Sequence, residues 1–264
     1  MTGDGRGLLY PAAMPTLHRR LAPERVSSLV RWFWIPEWNI VPDRVSRQEL
    51  LAFPACNLAV EPTLVGLAGP TTRRSHRDLT GRGWTVGALL RPAAVPHLTT
   101  DPHALRDRCQ SLAMPDLHRA VATAMTGQGE GDLRRARAVE AFTDWLVATL
   151  PPPDADGLLT NALAELVDGD PTVLQVEDAA SRLNVSARTL QRLARRHVGL
   201  SPGEMIRRRR LQEAAERLRT DPDADLATVA AEFGYADQAH LSRDFRAVLG
   251  LTPSSYRASC LTVD

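Results

Sequence analysis

A tetrapeptide that returns constrains this chain more than any other feature. Gly199-Leu200-Ser201-Pro202 recurs as Gly250-Leu251-Thr252-Pro253, an offset of 51 (250 − 199). The same offset lays Leu190 on Leu241, Arg192 on Arg243 and Arg195 on Arg246. A weaker match at an offset of 50 lays Ala180 on Ala230, Leu183 on Phe233 and Asn184 on Gly234. Repetition at a fixed period marks a duplicated structural unit. Each unit here carries two helical patterns joined by a tight turn. The last third of the chain therefore reads as two helix-turn-helix units in tandem, an arrangement suited to reading DNA.

The turn chemistry supports the duplication independently. Residues 176–183 form a helical pattern with Val176, Ala179, Ala180 and Leu183 on one side. Asn184 follows where a sharp turn needs tolerance of positive φ, and Gly234 holds the same place in the second unit. The first recognition helix is expected over about 186–198, with Ser186 as N-cap. Leu190, Leu193, Ala194 and Val198 then face inward, while Arg188, Gln191, Arg192 and Arg195 fall at i, i+3, i+4 and i+7 on the outer face. Arg pairs with guanine and Gln with adenine in the major groove. A solvated basic face is the plain alternative for such a stripe. The second recognition helix is expected over about 237–249, with Asp237 as N-cap and Leu241, Phe245 and Leu249 inward. Gln238, Ala239, Ser242, Arg243 and Arg246 face outward, with Asp244 beside them. That surface is less basic and predicts fewer base contacts and more phosphate contacts, which position without specifying.

Between the units, Ser201, Pro202 and Glu204 make a capping box that opens a helix over 202–218, stopped by Asp221-Pro222. At about 1.5 Å per residue it spans roughly 25 Å, enough to hold two recognition helices apart along DNA. Arg207-Arg208-Arg209-Arg210 lies on this connector. Four consecutive helical residues point around the axis, so some are expected to reach phosphates and others to pair with Glu204, Glu213 or Glu216.

The stretch Gly234-Tyr235-Ala236-Asp237-Gln238-Ala239-His240-Leu241-Ser242-Arg243-Asp244-Phe245-Arg246, followed by Gly250-Leu251-Thr252-Pro253-Ser254-Ser255-Tyr256-Arg257, closely resembles the signature of the AraC/XylS transcription regulators. The resemblance covers about 158–259. It implies a seven-helix domain with two helix-turn-helix units placed in successive major-groove segments. It also implies that Arg188, Gln191 and Arg192 read bases in the first unit, and Gln238, Ser242 and Arg243 in the second. Two positions depart from the pattern. Leu241 stands where the family often has Phe, and Ala194 where its first unit usually has a large aromatic, which predicts a looser core there.

The N-terminal part has a different texture. Pro, Gly and Thr punctuate short apolar runs such as Leu58-Ala59-Val60 and Trp84-Thr85-Val86 between about 17 and 112, the look of a small β-rich domain. Gly3, Gly5 and Gly7 follow no strand and read as a loose tail. From Asp116 the pattern turns helical. Leu117, Val121 and Met125 are spaced by four, and after Gly127-Gln128-Gly129-Glu130-Gly131 a second helix carries Val139, Phe142 and Leu146. Pro151-Pro152-Pro153-Asp154-Ala155-Asp156-Gly157 reads as an extended spacer. The expected organisation is α+β: a β-rich sensor or dimerisation domain over 15–112, a helical connector over 113–150, a linker over 151–157 and an all-α tandem helix-turn-helix domain over 158–260. Gly87-Ala88-Leu89-Leu90-Arg91-Pro92-Ala93-Ala94-Val95, taken with Pro42-Asp43 and the tryptophan segment, resembles a cupin-like domain found ahead of some AraC-type regulators. Trp32, Phe33, Trp34 and Trp38 cluster in a chain with 5% aromatics. On a strand Trp32 and Trp34 share a face. They are weak ligand-binding candidates against the plainer reading of a core or an interface.

Composition narrows the function class. All 32 basic residues are arginine, which can grip phosphate or guanine with a bidentate fork, although codon usage explains the bias as simply. The formal net charge of +1 does not suggest a nucleic-acid binder, but 186–198 holds Arg188, Arg192, Arg195 and Arg196 with no acid, so basic charge is local. No apolar run is long enough for a membrane span and no secretory signal is legible. Cys56, Cys109 and Cys260 make no metal spacing or paired framework, consistent with a reducing cytoplasm. His18, His76, His97, His103 and His118 are scattered, and spacing cannot show whether Asp43, Glu49 and Glu61 meet. No catalytic residue, metal or cofactor is expected. Double-stranded DNA is the expected partner. A small-molecule effector binding before residue 112, RNA polymerase and a second copy of the chain are further candidates, and the family is more often activating than repressing. Two other readings stay open: a DNA-repair-like enzyme tethered to the helical domain, and a non-specific architectural DNA binder.

Overall fold

The computed structural model describes residues 16–50, 54–73 and 75–261. Gly3, Gly5 and Gly7 lie outside them, and so do the side chains of Glu49 and Cys260. The N-terminal half holds strands β1 (Thr16–Leu21), β2 (Val30–Asn39), β3 (Ser46–Leu50), β4 (Asn57–Val60), β5 (Val65–Ala68), β6 (Ser75–Leu79), β7 (Arg82–Trp84), β8 (Val86–Leu90) and β9 (Cys109–Leu112). A 3-10 segment, Pro92–His97, follows β8. Helices α1 (Pro115–Thr126) and α2 (Gly131–Thr149) complete this half. The main sheet runs β1-β2-β8-β4-β5-β9 with β7 also paired to β2, and β3 pairs with β6. Every pairing is antiparallel.

Strand alternation explains which face is covered. Phe33 and Ile35 of β2, Leu58 and Val60 of β4, and Val86, Ala88 and Leu90 of β8 are buried. They pack on Leu117, Val121 and Met125 of α1 and on Val139, Phe142 and Leu146 of α2, the residues that the helical spacing picks out. Phe33 and Phe142 meet edge-on at 5.4 Å between ring centroids, a favoured aromatic geometry. Trp32 and Trp34 take the opposite face of β2, half-buried. The Trp34 ring lies so close over Gly87 of β8 that a Cβ there would sit 2.1 Å from it, and its indole Nε1–H donates to Asn57 Oδ1 at 3.0 Å.

The C-terminal half is α3 (Ala155–Gly169), α4 (Val176–Arg182), α5 (Ala187–His197), α6 (Pro202–Thr220), α7 (Leu226–Glu232), α8 (Gln238–Leu249) and α9 (Pro253–Leu261). These seven helices follow the β-rich part as the fold class anticipates. The spacer is shorter than the sequence suggests. Asp154 accepts a hydrogen bond from Gly157 N–H at 2.7 Å and caps α3, which therefore starts at Ala155 rather than near 158. The three prolines do not hold two bodies apart, because α3 packs on the Pro92–His97 segment at once. Asn161, 6% exposed, accepts from Ala93 N–H at 3.0 Å and donates to the Ser28 carbonyl at 2.8 Å. Among the described residues no helix is long and apolar enough to cross a membrane.

Candidate nucleic-acid interface

Both helix-turn-helix units form by the chemistry that the repeat implies. Asn184 has φ 53° and Gly234 φ 69°, the left-handed conformation at matching turns. Ser186 caps α5 by accepting from Thr189 N–H at 3.1 Å, and Asp237 caps α8 by accepting from His240 N–H at 2.6 Å. In α6, Ser201 N–H donates to Glu204 Oε2 at 2.7 Å while Glu204 N–H donates to Ser201 Oγ at 3.2 Å. Leu190, Leu193, Ala194 and Val198 are buried in the first unit, and Leu241, Phe245 and Leu249 in the second. Gly199 and Gly250 end α5 and α8 with φ 83° and 69°.

The outer faces are open. Arg188, Gln191, Arg192 and Arg195 of α5 are exposed, as are Gln238, Arg243 and Arg246 of α8, with Ser242 half-buried. Arg188, Arg195, Arg243 and Arg246 make no ion pair among the described residues. Arg192 does: its Nη1 lies 3.2 Å from Asp156 Oδ2 at the start of α3. Both side chains are well exposed, so the pair is weak and easily exchanged for a stronger acceptor.

All four arginines of the 207–210 run have partners within the chain. Arg207 clasps Asp244 of α8 through Nε and Nη2, the Nε to Oδ2 bond being 2.8 Å. Asp244 is 2% exposed, so it belongs to the core between α6 and α8 and not to the reading face. Arg208 is buried and donates to the Thr72 carbonyl in the N-terminal half at 3.3 Å. Desolvation pulls its guanidinium down to about 10, with Asp107 opposing the shift. Arg209 donates to the carbonyls of Asp170 at 3.0 Å and Val173 at 2.7 Å and lies 3.4 Å from Glu213. Arg210 donates to the Phe233 carbonyl at 2.6 Å and also to that of Gly234, and its guanidinium stacks 4.4 Å from the Tyr235 centroid. Of the acids expected to pair with the run, Glu213 does. Glu204 pairs instead with Arg106, and Glu216 with Arg219.

Several residues that sequence reasoning passed over join the first unit to the β-rich half. Arg31 pairs with Asp168 and Arg91 with Glu165, both acids on α3. Arg106 donates to the Gly199 carbonyl at 3.3 Å and His103 Nδ1 lies 3.2 Å from the same oxygen. His197, 2% exposed, places Nδ1 3.3 Å from the Pro92 carbonyl. His197 extends the apolar stripe of α5 with a polar ring, a hint available before folding. The guanidinium groups of Arg19 and Arg31 lie 4.7 Å and 4.8 Å from the Trp32 ring centroid, and neither Trp32 nor Trp34 lines the half-open pocket at the seam of the two halves.

Burial pushes the Cys56 thiol up to about 12 and also raises Cys109, the reverse of what a nucleophilic acceptor needs. Glu61 is held by Arg77 at 2.6 Å. Among the described residues no group of three or more His, Cys, Asp or Glu is placed to hold a metal.

A β-rich module followed by two helix-turn-helix units defines the class of molecule. Residues 179–259 match a helix-turn-helix domain family, and residues 18–111 match a domain of unknown function (DUF6597). A putative AraC-like transcription regulator of Streptomyces lividans is 32% identical over 174 residues, covering 63% of this chain and 54% of that protein. The transcriptional activator AarP of Providencia stuartii is 37% identical over 86 residues, 33% of this chain and 63% of AarP. The probable transcription factor PqrA of Proteus vulgaris is 31% identical over 84 residues, 32% of this chain and 68% of PqrA. The chain belongs to the AraC-like family of transcription regulators. It spans about half the length of the S. lividans regulator, 35% of a Haemophilus influenzae helix-turn-helix regulator and 63% of AarP. Apo ToxT of Vibrio cholerae superposes with a TM-score of 0.45 at 11% identity, over 90% of this chain and 99% of ToxT.

Proposed function

We propose that this protein is a sequence-specific DNA-binding transcription regulator. In this reading α5 and α8 enter successive major-groove segments of one asymmetric site. Arg188, Gln191, Arg192, Gln238, Ser242 and Arg243 reach base edges, while Arg195 and Arg246 add backbone contacts. The observation that carries the reading is the division of labour among the arginines. Every guanidinium of the 207–210 run has a partner within the chain, whereas among the described residues Arg188, Arg195, Arg243 and Arg246 stand exposed without an ion pair on α5 and α8. Unpaired charge on two outward recognition helices suits docking into successive grooves. Residues 15–112 act as the sensing or dimerising module, 113–150 as its helical support, and 158–260 as the DNA-binding domain. A small-molecule effector, RNA polymerase and a second copy of the chain are the partners that this reading brings with it, activation its direction and the cytoplasm its compartment.

Selection of bound fragments from random DNA, followed by gel shifts, tests the reading. One asymmetric site spanning about two major-groove segments is expected. Arg192→Ala should cost about 1–3 kcal/mol on that site and relax the preference at one base pair. Loss of affinity equal on all sequences, with a steep salt slope, would instead fit an architectural binder.

A further inference from the structure

The two recognition helices can be laid on each other residue by residue, because the fold fixes their register at both ends. Their caps Ser186 and Asp237 stand 51 positions apart (237 − 186), and each accepts from the N–H three residues on. Leu190 and Leu241, then Ala194 and Phe245, fill matching buried positions. Gly199 and Gly250 close the helices with positive φ. In this register Arg188 stands over Ala239, Gln191 over Ser242 and Arg192 over Arg243. Five of the six are exposed and Ser242 is half-buried.

The two reading faces are alike at one position and unequal at two. Arg192 and Arg243 each present a bidentate fork of donors, which matches O6 and N7 of guanine. Arg188 presents the same fork, but its counterpart Ala239 offers only a methyl group. The apolar group on a base edge in the major groove is the C5-methyl of thymine. Gln191 matches N6 and N7 of adenine, whereas the Ser242 hydroxyl donates or accepts alike and discriminates little. Both shared arginines are available. Asp244, adjacent to Arg243, is buried against Arg207 and makes no ion pair with Arg243, and Arg192 has only its exposed pair with Asp156 to give up. Arg188 and Arg192 are four residues apart, about 6 Å along the helix axis, close to two base-pair steps of about 3.4 Å.

We propose that the DNA site is an unequal pair of half-sites, an assignment that rests on the DNA-binding reading above and adds the bases to it. Under α5 lie two guanines two base-pair steps apart, read by Arg188 and Arg192, with an adenine read by Gln191. Under α8 the guanine read by Arg243 recurs, but a thymine, read through its methyl group by Ala239, replaces the guanine of Arg188. The pair facing Ser242 is free to vary. Ala239 is thus a specificity-determining residue. Gln238, whose counterpart is Ala187, adds to the second half-site a contact outside the three shared positions.

The test selects bound fragments from random DNA with the full chain and then changes single bases in gel shifts with the unaltered protein. 7-Deazaguanine, which lacks the N7 acceptor, should weaken binding about fivefold or more at each of the three guanines. Uracil in place of the thymine under Ala239 removes only a methyl group and should weaken binding about fourfold. Two variants exchange the code, with circular dichroism confirming that each is folded. Ala239→Arg should move the preferred base at its position from thymine to guanine. Arg188→Ala should abolish the guanine preference at its own position and leave the bases of the second half-site unchanged. A selected site with no guanine common to both halves, uracil bound as well as thymine, or folded Ala239→Arg still preferring thymine would each overturn the base assignment while leaving the DNA-binding reading intact. Selection that yields no site at all would overturn that reading, and the assignment with it.

Discussion

Arg207 on α6 holds the buried carboxylate of Asp244 on α8 with two nitrogens of its guanidinium, one at 2.8 Å, and so fastens the second recognition helix to the connector. The Asp244 side chain is 3% exposed and that of Arg207 53%, so the burial falls mainly on the acid. Removing the arginine leaves a desolvated carboxylate without its main partner. Arg207→Ala should therefore destabilise the second unit by about 1–3 kcal/mol in urea denaturation. Replacing both residues by apolar ones of similar volume should recover much of the loss, because the orphaned charge then disappears. A double variant as unstable as the sum of the two single ones would contradict this account.

Gly199 and Gly250 occupy equivalent places in the repeat, both with positive φ, but their surroundings differ. Among the described residues a Cβ on Gly250 would meet nothing within 4 Å, whereas one on Gly199 would sit 2.6 Å from the carbonyl carbon and oxygen of Pro102. Gly250→Ala should thus cost only the backbone strain, about 1–2 kcal/mol. Gly199→Ala should cost more, since it also forces the 102–106 loop away from the first unit. Thermal unfolding of the two variants side by side measures the difference, and equal losses would refute the close packing.

Burial holds the His197 imidazole below its ordinary value of 6.5, with Arg196 acting in the same direction and the Pro92 carbonyl, Asp154 and Asp156 opposing it. A histidine depressed in the folded state is neutral there, while the unfolded chain takes up a proton as pH drops below about 6.5. Its contribution is complete above that pH and is lost as pH falls toward the depressed folded value. The melting temperature should therefore fall between pH 7.5 and 5.5, and His197→Phe should flatten that dependence. A slope equally steep in the variant would assign it to other groups.

Asp156 competes with DNA for Arg192 in the proposed mode of binding. Exposed ion pairs are worth about 0.2–1 kcal/mol. Asp156→Asn keeps the shape of the first turn of α3 and frees the guanidinium, so affinity for the selected site should rise by up to about fivefold at low salt, with the gain shrinking as salt is added. Gel shifts at two ionic strengths read this directly, and an unchanged affinity at both would remove Asp156 from the interface.

Much of the DNA-binding half is legible in the sequence because its elements are closed by short-range chemistry. Ser186, Ser201 and Asp237 cap helices within three residues of themselves, and Asn184 and Gly234 satisfy turns through their own backbone. The apolar stripes of α5 and α8 follow from 3.6 residues per turn. In the β-rich half the spacing picks out α1 and α2 and their buried residues. It does not show that α3 folds straight back onto the Pro92–His97 segment, because the residues that hold it there, Asn161, Arg91 and Arg31, find partners 68 to 137 positions away.

The repeat, the caps and the helical period by themselves settled that the tail is a duplicated pair of helix-turn-helix units with Arg188, Gln191, Arg192, Gln238 and Arg243 outward. Tertiary structure decided which arginines remain free for a partner. Residues 207–210 are identical in chemistry and adjacent in sequence, yet a helical step of about 100° aims them at four different neighbours: Asp244, Thr72, Val173 and Phe233. Direction along a helix is a local property, but the acceptor that waits in each direction is set by packing between distant segments.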